Sequence, residues 1–147
     1  MELIDQLKNI DLFKNLRTKE LFALLENSEI HQISPENHVL KKGDKDSSLK
    51  VIIKGQAYLY RADQTKVTLG PGSYFGELNL LKESTVQADI LASSEVDILV
   101  LPYDEIHRCY SADLRVYGVL MENLARLLST RLKKAGETIH RLTSSHK

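Results

Sequence analysis

The hydrophobic period of this 147-residue chain changes twice, and these changes restrict what it can fold into more than any other feature. From Ile4 to Leu25 the apolar residues Ile4, Leu7, Ile10, Leu16, Leu21, Phe22, Leu24 and Leu25 recur at helical spacings, with a break over residues 11–17. Two short helices are predicted there, the second capped by Thr18 with Glu20 in its first turn. From about Ile30 to Leu101 the period falls to two, and turn-forming clusters at 34–37, 42–46, 62–65 and 70–73 interrupt it at the intervals of a sandwich or barrel. Segments 30–34, 38–42, 49–60, 65–69, 86–92 and 96–101 are the predicted strands. Leu49, Val51, Ile53, Ala57 and Leu59 share one parity and Lys50, Lys54 and Gln56 the other, so one buried face and one wet face are expected. After Pro102 the helical period returns. The chain therefore reads as one mainly β domain with flanking helices: helices in 1–29, a β-barrel in 30–101 and helices in 102–147.

Composition narrows the class further. Lys and Arg number 20 against 20 Asp and Glu, which excludes a generally basic protein that coats nucleic acid. The single Cys109 can form neither an internal disulfide nor a zinc site, and a reducing, cytoplasmic setting is expected. The N-terminus lacks the basic and unbroken apolar regions of a signal peptide. Apolar runs such as Ile98 to Leu101 are far too short to cross a bilayer, so no membrane partner is expected.

In the C-terminal part Leu114, Tyr117, Leu120, Met121, Leu124, Leu127, Leu128, Leu132, Ala135, Ile139 and Leu142 step by threes and fours. A helix of about seven turns is longer than its own domain is wide, and a parallel pair in a homodimer through residues 112–142 is expected. The plain alternative is a stripe packed along the β-domain.

The densest chemical signal runs from Leu69 to Leu81. A strand enters a glycine-rich turn and then a few helix-forming residues, so backbone N–H groups from Gly76 to Asn79 would face whatever lies before them, an arrangement suited to anions. Gly76 admits close backbone approach, and Glu77 would either accept hydroxyl donors or simply favour the helix start. Gly70, Gly72 and Gly76 do not make the dinucleotide spacing, and no G-x-x-x-x-G-K-[ST] sequence occurs.

The order Leu12-Phe13-Lys14-Asn15-Leu16, Val39-Leu40-Lys41-Lys42-Gly43-Asp44, Val51-Ile52-Ile53-Lys54-Gly55 and Gly72-Ser73-Tyr74-Phe75-Gly76-Glu77-Leu78-Asn79-Leu80-Leu81 resembles the cyclic-nucleotide-binding domain family over residues 10–135. The resemblance implies an eight-stranded jelly-roll barrel (a double-stranded β-helix) with a long C-terminal helix. The six period-two segments then hide two fused strand pairs, in 49–60 and 65–74. It also implies a phosphate-binding cassette in which a Glu holds the ribose 2′-hydroxyl, an Arg pairs with the cyclic phosphate, and backbone N–H groups complete the cradle.

Phe75, Gly76, Glu77, Leu78, Leu80 and Leu81 match the first half of that cassette. In the second half Thr85 stands at the Pro position, Val86 at the Arg position and Asp89 where a hydroxyl residue is usual, while Ala88 matches. Losing one partner of a desolvated charge pair costs roughly 2 to 5 kcal/mol, about 30-fold to several thousand-fold in affinity. Asp89, if directed inward, would add repulsion. Lys82 is the one nearby cation that could replace the charge, yet Glu83 beside it reads as a solvated turn. The candidate pocket is thus Phe75, Gly76, Glu77, Leu78, Asn79, Val86, Gln87, Ala88 and Asp89. Its ligand would be cAMP, cGMP or another small anion, bound weakly, in altered form or not at all, and no cofactor or metal is expected.

Other signals are plainer. Arg126, Arg131, Lys133, Lys134, Arg141 and Lys147 read as cations that keep a helix end soluble and offset its dipole. No DNA-reading element follows them, so a DNA partner is not expected. His107 and Cys109 lie two apart on a predicted helix and point away from each other; Cys109 reads as a small buried hydrophobe. The five His, at 31, 38, 107, 140 and 146, lack metal-ligand spacing, and an enzyme is not expected. Two functions remain: a ligand sensor whose occupied pocket shifts the C-terminal helix, or a constitutive dimerising or partner-binding module that has lost its ligand.

Overall fold

The computed structural model describes residues 2–82 and 85–144. Glu83 and Ser84 in the expected solvated turn, and residues 145–147 of the basic end, lie outside the described residues. Helix α1 (Glu2–Lys8), a 3-10 turn at Asp11–Phe13 and α2 (Thr18–Leu24) precede eight strands. These are β1 (Glu29–Ile33), β2 (His38–Leu40), β3 (Ser48–Lys54), β4 (Ala57–Tyr60), β5 (Lys66–Leu69), β6 (Tyr74–Phe75), β7 (Asp89–Ala92) and β8 (Val96–Pro102). A second 3-10 turn, Glu77–Asn79, separates β6 from β7, and α3 (Tyr103–Ala112) and α4 (Leu114–Ser144) follow β8.

The strands form two antiparallel sheets, ordered β1-β8-β3-β6 and β2-β7-β4-β5. This is the expected eight-stranded jelly-roll, arranged as two facing sheets rather than a closed barrel. The period-two run 49–60 is indeed two strands. It divides at Gly55, whose φ of 89° is left-handed and whose added Cβ would lie 2.2 Å from the Glu95 carbonyl oxygen. Only glycine turns the chain so tightly against that backbone. Likewise 65–74 resolves into β5 and β6 around the Gly70–Ser73 turn.

The expectation of one wet face fails for β3. Leu49 and Val51 are fully buried on the side facing the helices, and Ile52 is fully buried on the side facing the second sheet. The same holds for β8, with Leu99 and Leu101 toward the helices and Val96 and Ile98 toward the sheet. The physical reason is a third layer: α1, the first 3-10 turn, α2, α3 and the first half of α4 cover the outer face of the β3–β8 sheet. Apolar residues on both parities of a central strand then become necessary.

At the N-terminal end the structure moves a cap. Thr18 is already helical, its hydroxyl accepting a hydrogen bond from Lys8. Arg17 is the capping residue, and Glu20 Oε1 accepts its backbone N–H at 2.8 Å. Glu20 is otherwise buried and is neutralised by Arg115 Nε at 3.2 Å.

Candidate ligand cavity

Strand β6 brings the chain out of the glycine-rich turn and alongside β3, with Phe75 opposite Lys50. Ser73 accepts a hydrogen bond from the Ile52 N–H at 2.9 Å, and Gly72 donates back to the Ile52 carbonyl at 2.8 Å. Gly76 follows at φ 98° and starts the Glu77–Asn79 turn. A Cβ there would stand 2.7 Å from the Ser48 carbonyl oxygen and 3.1 Å from both Asp46 Oδ2 and the Tyr103 hydroxyl. The sequence needs glycine here for packing as well as for its backbone angle.

Behind Gly76 sits a polar anchor that sequence reasoning missed. Tyr103 donates its hydroxyl proton to the Gly76 carbonyl. The buried Asp46 carboxylate accepts Lys50 Nζ at 2.9 Å, and the same ammonium donates to Ser48 Oγ at 2.9 Å. Burial, together with the negative charge of Asp46, pushes the Tyr103 hydroxyl well above the usual phenol range. The carboxylate and ammonium compensate each other, so the pair leaves no net charge behind the turn.

The opposite wall is held by backbone bonds from Gly43 N–H to the Val86 carbonyl and from Val86 N–H to the Asp44 carbonyl, both 2.9 Å. Between the walls is a cavity of about 330 Å³ floored by Leu40, Leu59, Leu69, Phe75 and Ile90. Its polar rim is Asp46, Tyr74, Glu77, Asn79, Gln87 and, from α4, Arg131. Arg131 Nη1 donates to Glu77 Oε1 at 2.6 Å, and the carboxylate is only 6% exposed. Burial, followed by the nearby Glu77 charge, raises the Tyr74 hydroxyl.

The cavity gathers Phe75, Gly76, Glu77, Leu78, Asn79, Val86, Gln87 and Ala88 of the sequence-derived set. Val86 is 5% exposed, so an aliphatic side chain occupies the wall where a cation was looked for. Gln87 turns its amide back to the Thr85 carbonyl at 3.0 Å. Asp89 is the exception. It faces the other side of β7, where Oδ1 accepts the Lys42 N–H at 2.8 Å and lies 3.7 Å from His38 Nε2. Strand alternation sends Ile90 inward and Asp89 outward, so the repulsion feared from Asp89 does not arise. Lys82 is exposed and does not line the cavity.

Arg131, expected as a solvated helix cation, instead pairs with the buried Glu77 at the cavity rim. The buried positions Val116, Leu120, Asn123 and Leu124 continue through half-buried Leu127 toward 131 by helical steps, so the register of the stripe carried the signal. Cys109 also differs from expectation: it is half-buried, lining a groove between α2 and α3, and burial raises its thiol.

Two facing sheets, a half-open cavity at the turn after β6 and a long helix that brings Arg131 to its rim make up the site. A family model for the cyclic nucleotide-binding domain matches residues 30–113, and the chain belongs to that family. It is 28% identical over 134 residues to the cyclic AMP receptor protein of Thermus thermophilus, covering 88% of this chain and 60% of that protein. It is 29% identical to glutaminase 2 of Bradyrhizobium diazoefficiens over 90% of this chain but 21% of that enzyme. The N-terminal domain of a transcriptional regulator from Streptomyces coelicolor superposes with a TM-score of 0.77 at 24% identity, covering 92% of this chain and 95% of that one. The chain thus spans less than two-thirds of either of those two relatives. No helix among the described residues is long and apolar enough to cross a membrane.

Proposed function

We propose that this chain is a cytoplasmic regulatory sensor, without catalysis of its own, whose cavity takes a small anionic ligand of the cyclic-nucleotide kind and reports it through α4. The observation that carries this reading is that one cavity is walled jointly by the Gly76–Asn79 turn and by Arg131 of α4. A ligand there touches both the fixed sheet and the helix, which is what differential affinity for two helix positions requires. With Val86 in the wall, cAMP and cGMP bind more weakly than in a cassette that carries its own arginine.

Thermal melting with millimolar cAMP and cGMP tests the sensor. A ligand at 100 times its dissociation constant adds about 2.7 kcal/mol, a rise of several degrees for a domain of this size. An unchanged melting temperature with both nucleotides defeats the sensor and leaves a constitutive dimerising or partner-binding module.

We further infer that a second copy covers the far half of α4. Met121, Ala125, Leu128, Leu132, Ala135, Ile139 and Leu142 step alternately by four and three, the heptad seam of a two-stranded coiled coil. Leu132 and Ile139 are 75% and 64% exposed in the single chain, and a parallel homodimer would bury them.

A further inference from the structure

Arg131 has a role beyond closing the cavity. It is the one cation among the described residues that line it; Lys50 stands behind Gly76, committed to Asp46 and Ser48. Its guanidinium is 46% exposed while the Glu77 carboxylate it touches is buried. Glu77 engages Nη1, and a guanidinium carries five N–H donors in a planar fork, so the contact does not exhaust it. Val86, in the opposite wall, offers no charge at all.

On the sensor reading given above, we propose that Arg131 is the anion-binding residue of this cavity, so that the cation for the ligand's phosphate comes from α4 instead of the sheet. Two consequences define the ligand. Turning Arg131 toward a phosphate weakens its bond to Glu77, and a buried carboxylate cannot be left without donors. The ligand must therefore present hydroxyl or amine donors to Glu77 together with its negative charge. A phosphate-bearing sugar meets both conditions, whereas inorganic phosphate lacks the means to reach both groups and a neutral nucleoside lacks the charge. The ligand's strongest contact then lies on α4, the helix through which the sensor reading has it reported.

Isothermal titration with cAMP, cGMP, adenosine and inorganic phosphate tests this on the intact chain. The cyclic nucleotides are expected to bind, and the other two probes are not. Arg131→Gln keeps a neutral donor beside Glu77 and is expected to lower cyclic-nucleotide affinity at least tenfold, about 1.4 kcal/mol, with an unchanged circular dichroism spectrum. Adding Val86→Arg to that variant should restore affinity by returning a cation to the sheet wall. If Arg131→Gln binds as tightly as the parent, the assignment to Arg131 fails while the sensor reading stands. A folded double variant that does not regain affinity also overturns it, because the loss was then not one of charge. Binding of inorganic phosphate or adenosine as tight as that of the nucleotides overturns the ligand class. Absence of binding by every probe to the parent chain overturns both readings.

Discussion

Gly76 is the residue on which the cavity turns. Replacing it with Ala places a Cβ at a left-handed φ and 2.7 Å from the Ser48 carbonyl oxygen, and backbone strain of this kind costs about 1 to 3 kcal/mol. Urea unfolding of Gly76→Ala should show a loss at or above the upper end of that range, because the obstructing atom belongs to backbone. Tyr103→Phe removes the hydroxyl bond to the same residue, and about 1 kcal/mol of stability at neutral pH should go with it. Its pH signature is more specific. The Tyr103 hydroxyl is raised above its unfolded value by burial first and Asp46 second. The unfolded chain thus loses its proton first as pH climbs past about 10, and stability falls with pH from there. Tyr103→Phe should make the alkaline limb shallower without abolishing it, since Tyr74 is raised too; equal limbs in parent and variant would show that the hydroxyl is not held protonated. Glu77 and Val86 could be located in the chain by local order alone. Asp46, Lys50, Gly76 and Tyr103 could not be joined that way, because only the pairings of Ser48 with Pro102 and of Lys50 with Phe75 bring them together.

Among the elements, α4 is tied to the N-terminal 3-10 turn by a polar device inside an apolar stripe. Asn123 is buried and donates Nδ2 hydrogen bonds to the Leu12 carbonyl at 2.9 Å and the Lys14 carbonyl at 2.8 Å. Asn123→Ala would leave both carbonyls without this donor, and two lost bonds with partly buried acceptors amount to about 2 kcal/mol or more. The urea midpoint should fall accordingly with the slope unchanged; a variant as stable as the parent would mean that water replaces the amide. Periodicity located the four α-helices and every strand but the two-residue β6, which is too short to show a period, yet it merged β3 with β4 because Leu49, Val51, Ala57 and Leu59 keep one parity across the Gly55 turn. It also mistook β3 for a half-wet strand, since a third layer of helices is a tertiary fact that no local pattern encodes. Asn123 was passed over for the same reason: a polar residue between Leu120 and Leu124 looks solvated until its partners, more than 100 residues away in sequence, are known.

In the whole molecule, the first half of α4 is packed and every residue from Leu128 to Ser144 is exposed, with Arg131 reaching back to Glu77. Aspartate at both Leu132 and Ile139 should convert a dimer to a monomer in light scattering while barely altering the melting of the β-sheets, because both side chains are largely exposed in the single chain. A parent chain that is monomeric at high concentration would remove the second copy from this account. Arg131 lies where the helix leaves the sheets, and Ser144 is 13 residues farther on, about 20 Å at the helical rise. With its pivot beside the cavity, such a rod is a lever: a tilt of about 10° moves its far end by about 3 Å over that length. In the proposed dimer, an atomic displacement too small to alter the jelly-roll would thereby be magnified into a change of separation between two paired rods, and anything joined to them would feel the ligand as a shift in spacing.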